Sequence, residues 1–190
     1  MKFHLILLSF ILIFKNDIFY SQINFSSNSV MIFDSITNNK NWKTVDDVVM
    51  GGISSSKFFL NEKGNAVFKG NVSIQNNGGF SSVRNTLSTF NIKKFTCFVI
   101  RLKGDGKNYQ FRVKSSKYDY HSFKYVFSTN SNWQEIVIPF ENLEPSYRGR
   151  KLDMPNFSNE FLEEVGFLIS NKKEEKLSLI HISEPTRHHV

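Results

Sequence analysis

Between residues 56 and 170 the chain alternates short apolar runs with turn clusters and almost never keeps a helical repeat. No other feature constrains the fold as much, because a period-two segment has to lay one face on a core. Residues 108–114, NYQFRVK, are the clearest case: Tyr109, Phe111 and Val113 share one face, and Gln110, Arg112 and Lys114 the other. Further β-prone runs lie at residues 29–33, 56–60, 66–74, 95–104, 122–129, 133–140 and 164–170. Gly104-Asp105-Gly106-Lys107 predicts a tight hairpin onto 108–114, and Asn130-Ser131-Asn132 predicts a second strand pair. Only residues 159–165, NEFLEEV, suggest a turn or two of helix. The spacing predicts a single antiparallel β-sandwich. Its expected core includes Trp42, Phe68, Phe98, Ile100, Phe111, Ile136, Ile138 and Phe167.

A chain of 190 residues suits one domain with a real core, and 20 phenylalanines supply the apolar volume for it. The formal charge is +7, but Lys and Arg are scattered in blocks no longer than two, which reads as a solvated basic surface rather than a nucleic-acid site. The single cysteine, Cys97, forbids an internal disulfide and any CxxC motif, and its apolar neighbours predict a buried, inert thiol. Lys2 and His4 precede the apolar run Leu5–Phe14, which has the length of a signal-peptide core and is too short to span a bilayer. Residues 1–21 are read as a signal peptide, so the mature chain is expected to be exported, with no stable membrane span. The domain is placed at 22–176. From Leu177 the style changes, and residues 177–190 resemble translated sequencing-adapter read-through, a doubtful tail whose histidines carry no function.

Three stretches invite a functional reading. The first, DDVVMGGISSS at 46–56, sets Asp46 and Asp47 before Gly51 and Gly52. It lacks the lysine of a phosphate loop, and adjacent acids in an extended chain point apart rather than face each other across a substrate. One acid is expected to point inward onto an arginine, Arg84 or Arg148, or onto loop amides, and the other to face solvent. Val48, Val49 and Met50 are expected to cover the core edge while the two glycines turn the backbone. The second stretch, NNGGFSSVR at 76–84, contains Asn77, Gly78, Gly79 and Arg84. The third, SYRGR at 146–150, contains Tyr147, Arg148 and Arg150, which suit an anion or an acidic partner surface. Tyr118, Tyr120 and His121 can stack on a sugar ring or pack within the fold. No catalytic constellation and no dense Cys/His/acid cluster stands out, so neither metal nor nucleotide is expected, with a structural calcium ion left open.

These motifs occur in one order with Trp42, RLKGDGKNYQFRV, Trp133-Gln134-Glu135 with IPF, PSYRGRKL and VGFLISNK. In that order the chain resembles the complex I intermediate-associated protein 30 family, from about residue 30 to residue 172. The resemblance implies an all-β, galactose-binding-like jelly-roll β-sandwich, similar in fold to family 11 carbohydrate-binding modules. Mitochondrial members of the family are implied to be assembly chaperones for respiratory NADH dehydrogenase. The expectation is a non-enzymatic binding or assembly-factor-like module with a protein partner, or else a carbohydrate-binding module. A concave groove with two or more exposed aromatics favours the glycan. A flat or loop-built patch around Arg148 and Arg150 favours the protein.

Overall fold

A computed structural model describes residues 29–31, 41–158 and 160–181. The expected signal peptide and residues 182–190 lie outside them. Among the described residues thirteen strands form two sheets. The smaller sheet contains β1 (Ser29–Met31), β3 (Ser55–Leu60), β4 (Ala66–Val72), β6 (Cys97–Lys103), β9 (Gln134–Pro139) and β13 (Glu175–His181). The larger contains β2 (Trp42–Asp46), β5 (Ser81–Asn91), β7 (Asn108–Lys114), β8 (Ser122–Ser128), β10 (Glu144–Tyr147), β11 (Arg150–Lys151) and β12 (Phe161–Ile169). In the larger sheet the order is β11-β10-β8-β7-β12-β5-β2. Pairing is antiparallel throughout except for β1, which runs parallel to β6.

The connectivity corrects the hairpin expectations. Gly104–Lys107 leads from β6 in one sheet to β7 in the other, and Asn130–Asn132 leads from β8 to β9 across the same gap. Two crossovers therefore run side by side where two hairpins are expected. The Gly104 amide donates to the Asn130 carbonyl at 2.9 Å, and the Thr129 amide donates to the Lys107 carbonyl at 3.0 Å. The Asp105 carboxylate accepts from the Ser178 amide, the Lys107 ammonium and the buried Tyr109 hydroxyl, which ties the crossover to β13. Turn chemistry specifies a bend, and the core then decides which sheet each arm joins. Residues 159–165 also depart from expectation, because Phe161–Val165 open β12 rather than a helix.

Phe98 from the smaller sheet meets Phe111 from the larger edge-on, with centroids 5.3 Å apart, and Phe167 lies 5.7 Å from Phe111. Such aromatic pairs add roughly 0.5–1.5 kcal/mol each to the burial of their area. Seven of the eight expected core residues are buried, and Ile136 is half-buried against the core. Cys97 is half-buried rather than enclosed, since it is the first residue of β6. Residues 177–181, assigned by the style of the sequence to a doubtful tail, lie in β13 between β6 and β4, with Leu177 and Leu179 in the core.

Candidate functional site

The two glycine-serine stretches enclose one carboxylate. Asp47 is fully buried at the β2–β3 crossover. One oxygen accepts from the Ser54 amide at 3.0 Å. The other accepts from the Ser54 hydroxyl at 2.6 Å and from the Gly79 and Phe80 amides at 2.7 and 3.2 Å. Gly79 and Phe80 belong to the β4–β5 crossover, so this side chain staples two sheet-to-sheet links together. The glycines are explained by it. Gly51 turns the chain at φ 88°, while a Cβ on Gly52 would strike the Asp47 carboxylate and one on Gly78 would lie 2.7 Å from Asp47 Oδ2. Burial pushes the Asp47 carboxyl up, but the Ser54 hydroxyl and the Gly79, Ser54 and Phe80 amides together hold it below its ordinary value.

Asp46 corrects the expectation of a solvent-facing neighbour. It is half-buried and accepts from the Ser56 amide and hydroxyl and from the Ser81 hydroxyl at 2.9, 2.8 and 2.6 Å. Strand alternation fails here because the chain leaves extended geometry at Asp47, the first residue of a 3-10 turn over Asp47–Met50. In that turn Val48 is 61% exposed and does not cover the core edge, and the side chains of Val49 and Met50 lie outside the described residues. Neither acid pairs with Arg84 or Arg148. Ser81 and Val83 of β5 point into the sandwich, so Arg84 must point out of it. Every described partner of the two carboxylates is a donor, which makes the corner a cage for anions of the chain itself.

Arg84 lies on the exposed face of the larger sheet, where the strands form a cleft of about 480 Å³. Its floor carries Arg84 of β5, Gly166 of β12, Gln110 and Arg112 of β7 and Lys124 of β8. Asn77 and Phe80 border it at one end, so the Asp47 corner also shapes the rim. At the other end stand Tyr120, Tyr147 and Arg148. Tyr120 is 67% exposed and Tyr147 37%, and their rings meet edge-on at 5.3 Å. Tyr147 and Arg150 pair across a two-residue turn in which Arg148 and Gly149 both take positive φ, at 47° and 79°. The Arg148 guanidinium lies over the Tyr147 ring at 5.3 Å.

Arg112 is the best-anchored cation of the floor. Its Nε and Nη2 donate to Ser122 Oγ at 3.0 and 2.6 Å, and Nη1 donates to Gln110 Oε1 at 3.2 Å. Burial and then the neighbouring Arg84 charge lower its pKa to about 10, against the opposing pull of Glu164. Of the residues singled out from sequence, Asn77, Arg84, Tyr120, Tyr147 and Arg148 line this cleft, whereas Arg150 is exposed beyond it. Tyr118 is 84% exposed outside it, and His121 is half-buried against Phe123, 5.2 Å between centroids. Ser146 also lines it, from the SYRGR stretch, whereas Gln110, Arg112, Lys124 and Gly166 are among the lining residues that sequence reasoning missed. The only trace of them was the polar face of residues 108–114.

Fold and cleft together define a class, a jelly-roll β-sandwich with a concave cleft on its larger sheet. The family model for complex I intermediate-associated protein 30 matches residues 24–180, and the chain belongs to that family. No curated protein matches it in a sequence comparison. Among solved structures it is similar to the family 11 carbohydrate-binding module of the cellulosomal cellulase Lic26A-Cel5E of Clostridium thermocellum. The TM-score is 0.60 at 18% identity, covering 84% of this chain and 97% of that one. A family 11 module of the same organism, solved with a β-1,3-1,4-mixed-linked tetrasaccharide, gives TM-score 0.54 at 17% identity, over 76% of this chain and 89% of that one. Identity this low shows a shared fold.

Proposed function

We propose that this chain is a non-catalytic glycan-binding module that holds its ligand in the cleft of the larger sheet. The observation that carries the reading is the concave floor of polar side chains with Tyr120 and Tyr147 exposed at its rim. Aromatic faces take the apolar face of a sugar ring, and the side chains around them take its hydroxyls. The tetrasaccharide complex of the family 11 module supports the choice of ligand, because that protein has the same fold. Export after loss of residues 1–21 would bring the module to extracellular glycans. No metal or nucleotide is part of the reading.

Membership of the complex I intermediate-associated protein 30 family supports a second reading, an assembly-factor-like module with a protein partner. There the hairpin tip at Arg148 and the nearby Arg150 would meet an acidic surface. Glycan-array screening of the chain, with affinity capture from its own host, separates the two. The first reading expects retention on at least one glycan and about tenfold weaker retention for Tyr120→Ala and Tyr147→Ala at unchanged melting temperature. An empty array beside a reproducible, stoichiometric protein partner would establish the second.

A further inference from the structure

We infer that the glycan taken by this cleft is acidic, carrying a carboxylate or sulfate that sits between Arg84 and Arg112. The inference rests on the glycan reading and specifies its ligand. Strand register builds the seat. Lys43 of β2 pairs with Arg84 of β5, Arg84 with Gly166 of β12, Gly166 with Arg112 of β7, and Arg112 with Lys124 of β8. All lie on the outward face, so one row across the sheet reads Lys, Arg, Gly, Arg, Lys. Strands stand about 4.8 Å apart, so the two arginine backbones are roughly 10 Å apart with no side chain between them. A Cβ on Gly166 would lie 2.6 Å from the Val83 carbonyl oxygen and 3.3 Å from Arg84, so glycine there keeps the space between the guanidinium groups open.

The charge is unbalanced within the cleft. Among the described residues Arg84, Arg112, Lys114, Lys124 and Arg148 line it, against Glu164 as the one lining carboxylate. Among the described residues none of these five cations is held in a salt bridge. The groups that orient Arg112, Ser122 and Gln110, are neutral, so they fix the guanidinium without cancelling its charge. The lowered pKa of Arg112 reflects burial and then Arg84, a cost that an oxyanion placed between the two would offset. Ser146 adds an independent observation. It lines the cleft, is fully buried, and its hydroxyl has no hydrogen-bond partner among the described residues. Rotation of that hydroxyl toward the cleft would let a ligand oxygen satisfy it. The tyrosine rim favours a sugar over other polyanions, since the rings offer a platform beside the charges.

The test is calorimetric titration of the chain with four probes: a uronate tetrasaccharide, a sulfated galactan tetrasaccharide, a neutral mixed-linked β-glucan tetrasaccharide and a short single-stranded DNA. The inference expects one acidic tetrasaccharide to bind at least tenfold tighter than the neutral one, with the advantage shrinking as salt rises. The uronate and sulfate arms identify the acidic group. Arg84→Gln and Arg112→Gln should each move the acidic-to-neutral ratio toward one, while Tyr147→Ala weakens acidic and neutral sugars alike. Should Arg112→Gln fail to fold, Arg84→Gln and Arg148→Gln carry the same measurement. Neutral glucan binding as tightly as the better of the two acidic sugars would overturn the acidic ligand and leave the glycan reading intact. DNA binding as tightly as the better acidic sugar would reduce the row to a general polyanion surface; no binding of these sugars would overturn the acidic ligand, and beside an empty glycan array it would remove both readings.

Discussion

Asp47 shows how a residue that looks catalytic in sequence becomes structural once its partners are known. A fully buried carboxylate with four donors presents no oxygen to a substrate, and its ionised form is what the donors stabilise. Asp47→Asn replaces one acceptor oxygen by an NH2 that faces N–H and O–H donors. We expect it to lower stability by about 3 kcal/mol, and Asp46→Asn, whose carboxylate is half-buried, by about 1 kcal/mol. Chemical denaturation midpoints at neutral pH check both. The pH dependence follows from the lowered folded pKa of Asp47. Its contribution is fully present above the unfolded carboxylate value, about 3.9, and is lost as pH falls through the lower folded value. The midpoint of the wild-type chain should therefore fall as pH drops below about 4, and Asp47→Asn should fall less steeply. Equal slopes would mean that the cage does not hold the charge. The doubled glycines and serines made this corner visible in sequence. The identity of its partners was not, because Gly79 and Phe80 lie 32 and 33 residues away.

At the level of strands, legibility followed the inward residues. β7 presents Tyr109, Phe111 and Val113 to the core and could be read directly. β5 presents Ser81, Val83 and Asn85, two of them polar, so an eleven-residue strand next to the edge of the larger sheet left no apolar alternation to find. β12 was mistaken at its start because NEFLEEV spaces its apolar residues in a way that both helix and strand accept. Its glycine supplies a test. Gly166→Ala would push a Cβ against the Val83 carbonyl, so β5 and β12 must separate at that point. We expect a stability loss of about 1–3 kcal/mol, typical of overpacking, read from thermal unfolding. The β10–β11 hairpin carries the opposite expectation. Arg148 occupies left-handed backbone at φ 47°, which costs a non-glycine residue roughly 1–2 kcal/mol and asparagine less. Arg148→Asn should leave stability equal or slightly higher by the same assay, while ligand retention falls. A loss of stability would mean that the arginine holds the hairpin together.

Across the whole molecule, the two-sheet architecture could be anticipated from strand number and spacing, but the partition of strands between sheets could not. Crossovers and hairpins use the same turn residues, and only the packed core distinguishes them. The cleft was hidden for a related reason: its cations come one or two at a time from β5, β7, β8 and the β10–β11 turn, and no local window contains the row. β13 lies inside the smaller sheet with Leu177 and Leu179 buried, so truncation after Lys176 should abolish cooperative unfolding by circular dichroism. A truncated chain that melts as sharply as the full one would show residues 177–190 to be dispensable. The central claim is that the exposed face of the larger sheet is the binding site. Amide chemical-shift mapping by NMR tests it most directly, with the isotope-labelled chain titrated with the best glycan from the array. The account predicts perturbations concentrated at Arg84, Gln110, Arg112, Lys124, Tyr147 and Gly166, with the amides of the smaller sheet unmoved. Perturbations centred on β3, β4 and β9, or none with any glycan, would contradict it.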